Sequence, residues 1–338
     1  MTIMFDVNEF CGKKVLITGA SGLIGKAIAE YLLNNATGVK IVALARNEAK
    51  IRAAFNMADL KRVEFLICDI NDLKPNDMGV DYVIHAACQT ASKAFVENPV
   101  ETIKGVVGGT VNVLEFARAN NVKGFVYLST METYGTPFSS DKVYENSSAF
   151  LDQTSVRSSY PESKRLAECL CAAYGSEYGV PTKIVRLTQT FGEGVSYDDR
   201  RVFAEFARCV IERKNIVLKT KGETERNYLY VGDAVLAILT VLLRGEIGQA
   251  YNAANEETYC SIFDMAQMVV ARFGDGKIKV VFDEESNVEK SGYAPTLKMN
   301  LCCDKLKKLG WSATVGLEEM FSRLISSMKQ GRIEQKQR

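Results

Sequence analysis

Along the first half of the chain, short runs of Val, Ile and Leu alternate with segments whose apolar residues recur every three or four positions. The runs at 15–18, 39–45, 63–68, 82–87 and 125–129 are of strand length, and the segments at 23–34 and 102–120 have helical spacing. A further helix at 163–178 precedes a strand at 183–187. Strands and helices that take turns in this way predict an α/β fold, a doubly wound parallel sheet covered by helices on both faces.

Beyond Leu187 the pattern changes. Residues 188–201 are rich in Gly, Thr and Asp, as a functional loop is. A helix at 202–213, short strands near 216–218 and 227–231, a helix at 232–243, a strand at 250–252 and further helices follow, the pattern of a smaller α+β lobe. The expected division is 1–187 for the parallel-sheet domain and 188–328 mainly for the lobe, with some of its segments returning to the first domain; 329–338 is a polar, frayed tail. No internal repeat is visible, which excludes a solenoid.

Composition narrows the function. The 338 residues are 47% hydrophobic and 25% charged, as in a soluble enzyme. With 42 basic against 41 acidic residues there is no basic surface to follow a phosphate backbone, so nucleic acid is not an expected partner. No pair of the nine cysteines has Cys-x-x-Cys spacing, which reads as buried free thiols in a reducing compartment. A single histidine, His85, argues against a metal centre. Residues 1–11 lack the features of a signal peptide and no apolar run reaches membrane-spanning length, so the expectation is a cytoplasmic protein with no membrane partner.

Gly19, Gly22 and Gly25 are spaced three apart between the first strand and the first helix. Glycine is required there for unusual dihedrals, for close approach of backbone to a pyrophosphate, and for tight packing of helix on sheet. The amides at the helix start then hold the anion. The first domain is therefore read as a Rossmann domain. The residue that meets the adenosine ribose is expected about 20 positions further on, and an acidic side chain there would select NAD. Here the second strand ends in Arg46, whose fork suits a 2′-phosphate, so NADP is preferred with NAD left open. Asp69, after the third strand, is placed to accept a hydrogen bond from adenine.

The fifth strand leads into Ser129-Thr130-Met131-Glu132, and about thirty residues later comes Tyr160-Pro161-Glu162-Ser163-Lys164. Tyr160 and Lys164, four apart, share one face of a helix. The ammonium is expected to lower the phenol's pKa from about 10 toward neutrality, which makes Tyr160 a general base or acid. Thr130 can bond the same substrate oxygen, and together they permit hydride exchange between a sugar carbinol and nicotinamide. His85 is read as a packed strand residue.

The glycine turn, Cys68-Asp69-Ile70, Ile84-His85-Ala86-Ala87, Leu128-Ser129-Thr130 before Tyr134-Gly135, and Tyr160-x-x-x-Lys164 together resemble the NAD(P)-dependent epimerase/dehydratase family, the extended short-chain dehydrogenases. The resemblance continues through Arg186-Leu187, Phe191-Gly192, Arg226 to Asp233, Tyr251-Asn252 and Leu309-Gly310-Trp311, nearly the whole chain. It implies a nucleotide-sugar substrate and a catalytic trio of Thr130, Tyr160 and Lys164. It also implies a cofactor set of Gly19, Ser21, Gly22, Leu23, Ile24, Gly25, Arg46, Asp69, Ile70, Ala86, Ala87, Tyr160 and Lys164, with Lys164 on the nicotinamide ribose. Gln89, Thr130, Gln189 and Arg226 would meet substrate, Arg226 on the diphosphate.

Glu132 stands where dehydratases and decarboxylases of nucleotide sugars carry a glutamate that removes the proton beside a transient keto group. Met131 replaces the aspartate acid of some of those dehydratases, which counts against glucose-type 4,6-dehydration. Gln189 replaces the usual asparagine and Asn227 the usual aspartate after the diphosphate arginine, changes expected to alter the sugar or phosphate pocket. Three readings stay open: an epimerase or dehydratase that recycles its cofactor, an NADPH-consuming reductase of an activated keto sugar or sugar-alcohol precursor, and a non-catalytic cofactor sensor. The resemblance further implies a homodimer formed through 102–120 and 163–178.

Overall fold

A computed structural model describes residues 5–89, 92–137, 141–283 and 297–337. The chain opens with β1 (Lys14–Thr18), α1 (Leu23–Asn35), β2 (Lys40–Ala45), α2 (Glu48–Ala53), β3 (Val63–Ile67) and β4 (Tyr82–His85). It continues through α3 (Ser92–Glu97), α4 (Pro99–Ala119), β5 (Gly124–Thr130), β6 (Lys142–Val143), α5 (Ser159–Tyr178) and β7 (Thr182–Leu187). Next come β8 (Gln189–Phe191), α6 (Val202–Glu212), β9 (Ile216–Leu218), β10 (Glu225–Tyr230), α7 (Val231–Arg244) and β11 (Ala250–Ala253). The last elements are β12 (Asn255–Ser261), α8 (Ile262–Phe273), β13 (Val280–Phe282), β14 (Lys298–Leu301), α9 (Asp304–Lys307) and α10 (Leu317–Gln337).

The principal sheet has seven parallel strands in the order β11-β7-β5-β4-β1-β2-β3. Strand alternation divides its core. Val15, Ile17, Ile41, Ala43 and Ile84 face one layer with Ile28 and Leu32 of α1 and Ile238 and Leu242 of α7. Leu16, Val42, Leu44, Val83 and Phe125 face the other, with Val113 and Phe116 of α4 and Ala167 and Cys171 of α5. The strand order reverses between β1 and β4, the switch point at which open α/β sheets bind ligands beyond their strand ends. A second sheet runs β12-β10-β14-β6, with β8 also on β10, and a two-stranded sheet joins β13 to β9. Phe191, Phe203, Phe206, Met265 and Phe321 centre the core of this smaller region.

Three sequence expectations change. The strand at 250–252 and the helix at 232–243, which the pattern groups with the smaller lobe, complete the principal sheet: Ala250 pairs with Ile184 and Asn252 with Arg186, and α7 covers one face. The helix expected from residue 163 begins at Ser159, so Tyr160 lies in its first turn. The segment 329–338, read as a frayed tail, stays helical to Gln337.

Candidate functional site

The glycine turn is shaped by its neighbours. Gly19 has φ +68°, and a side chain there would place Cβ 2.9 Å from the backbone N and Cα of Ala87. Gly22 caps α1, and its N–H donates to the Gly19 carbonyl at 2.9 Å. Gly25 works by packing, since a Cβ would run into the Gly19 carbonyl and Ala20. A cavity of about 570 Å³ opens over this turn and is lined by Gly19, Ser21, Gly22, Arg46, Asp69, Ile70, Ala86, Ala87 and Gln89. Leu23 and Ile24 lie in the first turn of α1 and are not part of its wall. Sequence reasoning missed Lys50, Asn71 and Cys88, and the far wall from Ala94, Asn98, Glu101 and Thr102. Only the Asn98-Pro99 helix start hinted at that wall.

At one edge of the cavity, Arg46 is 78% exposed and its Nη1 lies 3.8 Å from Asp69 Oδ2. Asp69 Oδ1 accepts from the backbone and side-chain amides of Asn71, both at 2.9 Å, which fixes its carboxylate at the cavity edge.

His85 closes a buried chain of hydrogen bonds beneath the cavity. The Ala87 N–H donates to Thr18 Oγ1 (2.9 Å), which stands 2.9 Å from His85 Nδ1; His85 Nε2 is 3.2 Å from Thr110 Oγ1, which donates to the Val106 carbonyl at 2.6 Å. Because the Thr110 proton is committed to that carbonyl, Nε2 carries the imidazole proton and Nδ1 accepts from Thr18. Burial, with the Lys164 ammonium second, holds the His85 pKa down at about 3. The neutral ring links β1, β4 and α4 and fixes the Ala86–Ala87 wall.

Thr130 ends β5 and Tyr160 enters α5, and the buried Tyr160 phenol lies close enough to Thr130 for that side chain to draw its pKa down. Lys164, one turn on, donates from Nζ to the Leu128 carbonyl at 2.7 Å; its ammonium lies 4.5 Å from the centre of the Tyr127 ring and 5.9 Å from that of Tyr160. The expected lowering of the Tyr160 pKa does not appear in this structure. Burial pushes the phenol well above its ordinary value and Cys88 and Glu132 push the same way, against the weaker opposing influence of Thr130 and the Arg157 charge. The Lys164 ammonium is directed to Leu128 and the Tyr127 face instead. Cys88, which lines the cavity, lies near both Lys164 and Tyr160, while Thr130, Tyr160 and Lys164 are themselves not part of the cavity wall.

Two residues that sequence reasoning passed over frame this region. The Phe95 ring stacks on Tyr160 with centroids 4.2 Å apart and planes 3° from parallel. Arg157 Nη2 donates to Glu132 Oε2 at 2.8 Å. Met131 is buried, its sulfur 3.4 Å from the Thr188 hydroxyl, whose proton goes to the Asn227 carbonyl at 2.5 Å. Beneath the trio, Ser129 Oγ donates to Glu168 at 2.5 Å and Arg186 grips both carboxylate oxygens of Glu168, which fixes α5 against β5.

In the second sheet, Gln189 pairs with Tyr228, two residues along β10 from Arg226. Arg226 Nε is buried and has no hydrogen-bond partner among the described residues, as suits an anion clamp. Asn227 is buried, and its Oδ1 accepts from the Leu301 N–H at 2.7 Å, a bracket between β10 and β14.

Among the described residues, Glu256, Cys302 and Asp304 form the one grouping with metal-ligand spacing, and Glu256 is already held by Lys142 and Lys307. All nine cysteines are free, but only Cys171, Cys302 and Cys303 are buried and Cys169 is exposed, a correction to the expected burial. Among the described residues no helix is long and apolar enough to cross a membrane.

The model of the NAD dependent epimerase/dehydratase family matches residues 15–254. UDP-glucuronic acid decarboxylase 1 of Xenopus tropicalis is 27% identical over 323 residues, covering 94% of this chain and 73% of that protein. An epimerase of Methanothermobacter thermautotrophicus superposes with a TM-score of 0.82 at 22% identity, over 97% of this chain and 95% of that one. The dTDP-glucose 4,6-dehydratase of Streptomyces venezuelae, solved with NAD bound, gives 0.78 at 22% identity, over 95% and 98%. At these identities the two structures establish likeness of fold.

Proposed function

The chain belongs to the NAD dependent epimerase/dehydratase family, and from that membership we propose that it transforms a nucleotide-activated sugar through Thr130, Tyr160 and Lys164, with Glu132 moving a proton at carbon. The observation that carries the reading is the convergence of Thr130, Tyr160 and Lys164, the ammonium 5.9 Å from the centre of the Tyr160 ring, beside Cys88 of the cavity over the glycine turn. The residues fit a dinucleotide: the backbone of Gly19 and Ala87 approaches so closely that no Cβ fits between them, and Gly22 opens α1 toward the same space. Such a cofactor supplies the acceptor and donor of hydride. Tyr160 takes the proton from the sugar hydroxyl and later returns it, while Thr130 bonds and orients the same oxygen. Lys164, anchored by the Leu128 carbonyl, holds the cofactor ribose. Glu132 removes a proton from the carbon beside the new carbonyl, and Arg226 and Gln189 hold the diphosphate and sugar.

NADP over NAD is the cofactor choice we favour, because Arg46 is exposed at the edge of the cavity with Lys50 on the same wall. That observation and the buried thioether of Met131, where an acid would be needed, favour a second reading: an NADPH-consuming reductase of a nucleotide-activated keto sugar or sugar-alcohol precursor. We also propose a homodimer, since α4 and α5 pack together and expose Val100, Ile103 and Leu166.

A panel of UDP-, dTDP-, GDP- and CDP-sugars, with and without NADPH, tests the proposal by product mass and nicotinamide absorbance. Turnover without added reduced cofactor is the expected result, stoichiometric loss of NADPH absorbance marks the reductase, and binding without turnover of any sugar would refute both. Tyr160→Phe is expected to abolish turnover with cofactor affinity nearly intact.

A further inference from the structure

Glu132 and Arg157 reach the catalytic end from two separate 3-10 turns. Glu132 lies in Met131–Tyr134, directly after the strand that ends in Thr130, and Arg157 lies in Val156–Ser158, directly before the helix that carries Tyr160. Their ion pair closes the gap between those turns, Nη2 to Oε2 at 2.8 Å, with side chains 25% and 29% exposed. That is too sheltered for a solvated surface pair and too open for a core pair, so its charges act on whatever occupies the site. Glu132 Oε1 accepts no hydrogen bond among the described residues, which leaves one carboxylate oxygen for substrate. The guanidinium lies 5.0 Å from the centre of the Phe95 ring, and that ring stacks on Tyr160. Arg157 Nε is buried and lacks a partner among the described residues, so the guanidinium is not held by protein acceptors on every side.

We propose that Arg157 is a positioning residue: it fixes the Glu132 carboxylate by one oxygen, aims the other at the sugar, and offsets the Glu132 charge beside Tyr160. The inference rests on the functional reading above, in which Glu132 moves a proton at carbon and Tyr160 one at oxygen. The charges and titratable groups that face Tyr160 are Cys88 from the loop after β4, Tyr127 from β5, Glu132 and Arg157 from the two turns, and Lys164 from α5. Of these, Glu132 raises the phenol's pKa and Arg157 lowers it, so loss of Arg157 moves the phenol further up and loss of Glu132 moves it down. Phenolate is the active base, so activity rises with pH through the phenol's pKa. Removal of Arg157 therefore shifts the rising limb to higher pH.

The test is the pH dependence of kcat and kcat/KM for wild type, Arg157→Gln, Arg157→Lys and Glu132→Gln on the nucleotide sugar that wild type turns over best. Arg157→Gln is expected to lower kcat by roughly ten- to a hundredfold, less than the roughly 10²–10⁴ that a placed acid–base group itself contributes, with KM changed less than about threefold. Its rising limb should move to higher pH, and the residual limb of Glu132→Gln should move the opposite way. Guanidinium ion added to Arg157→Gln should restore part of kcat, which repair of a purely structural defect would not do. Arg157→Lys keeps the charge and should retain more activity than Arg157→Gln; if Arg157→Gln does not fold, the lysine variant carries the test through its smaller drop in kcat. Wild-type-like kcat and pH limb in either variant would overturn the inference alone. Absence of wild-type turnover on every nucleotide sugar would overturn the functional reading and this inference with it.

Discussion

The ring of Phe95 lies flat on the ring of Tyr160, 4.2 Å between centroids and 3° from parallel. Phe95 belongs to α3, a six-residue helix, and its carbonyl also accepts from Ser159 Oγ at 2.9 Å. The Tyr160 phenol is thus held by a segment far from it in sequence.

Replacement of that ring should loosen the phenol and leave the cofactor cavity in place. Phe95→Leu keeps most of the volume but removes an aromatic pair worth about 0.5–1.5 kcal/mol, so kcat should fall about three- to tenfold. Dinucleotide affinity, read by fluorescence titration, should stay within about twofold of wild type. A variant with unchanged kcat would detach Phe95 from the mechanism.

Gly19 combines φ +68° with an approach of 2.9 Å to the Ala87 backbone. Gly19→Ala should cost about 1–3 kcal/mol of stability and weaken dinucleotide binding at least about tenfold, because β1 and β4 must separate to admit the methyl group. Thermal unfolding and dinucleotide titration measure the two effects. Unchanged values in both would mean that the turn tolerates a side chain.

Arg46 separates the two cofactors. Arg46→Ala should weaken NADP by about 10- to 100-fold, the loss of charge-assisted hydrogen bonds to a phosphate, and change NAD by less than about threefold. Equal losses for both dinucleotides, measured by calorimetry, would remove the NADP preference.

His85 gives the acid limb of stability. Its pKa is lowered from 6.5 to about 3, so between those values the unfolded chain binds a proton that the folded chain refuses. The stability it contributes is therefore complete above about pH 6.5 and is lost as pH falls toward 3, at up to about 1.4 kcal/mol per pH unit. The chain has one histidine, so the slope of stability between about pH 5.5 and 6.5 belongs to this residue. Denaturant unfolding across that range should show the slope in wild type and a flatter line in His85→Gln; equal slopes would place the ring in water.

The alternation of strands and helices was legible because each strand of the first half is apolar on both faces and each helix has one apolar stripe. The glycine turn was legible because its chemistry is local: three glycines between a strand and a helix. What escaped depends on distant partners. Phe95, Arg157 and Asn98 are ordinary residues in sequence: Asn98 gains its place where the start of α4 reaches the cavity, and Phe95 and Arg157 theirs only when α3 and the turn before α5 meet Tyr160 and Glu132. The direction of the Tyr160 shift escaped for a related reason. A lysine four residues away reads as a neighbouring charge, but neither the burial of the phenol nor the pull of the Leu128 carbonyl on that lysine is written in the spacing. The bond from Leu301 to Asn227 likewise joins strands more than seventy residues apart and is not written in the neighbouring residues.

The outermost strand of the principal sheet is supplied by residues 250–253, long after β7, beside which it lies. A fragment ending at Leu187 would leave the hydrogen-bonding groups along one side of β7 bare, an open template for strands of other chains. During synthesis that edge stays uncovered until more than sixty further residues have left the ribosome, about 3–12 s at ordinary elongation rates. The molecule's most exposed moment thus falls after its nucleotide-binding half is already made, and it ends only when a distant piece of chain arrives to seal the sheet.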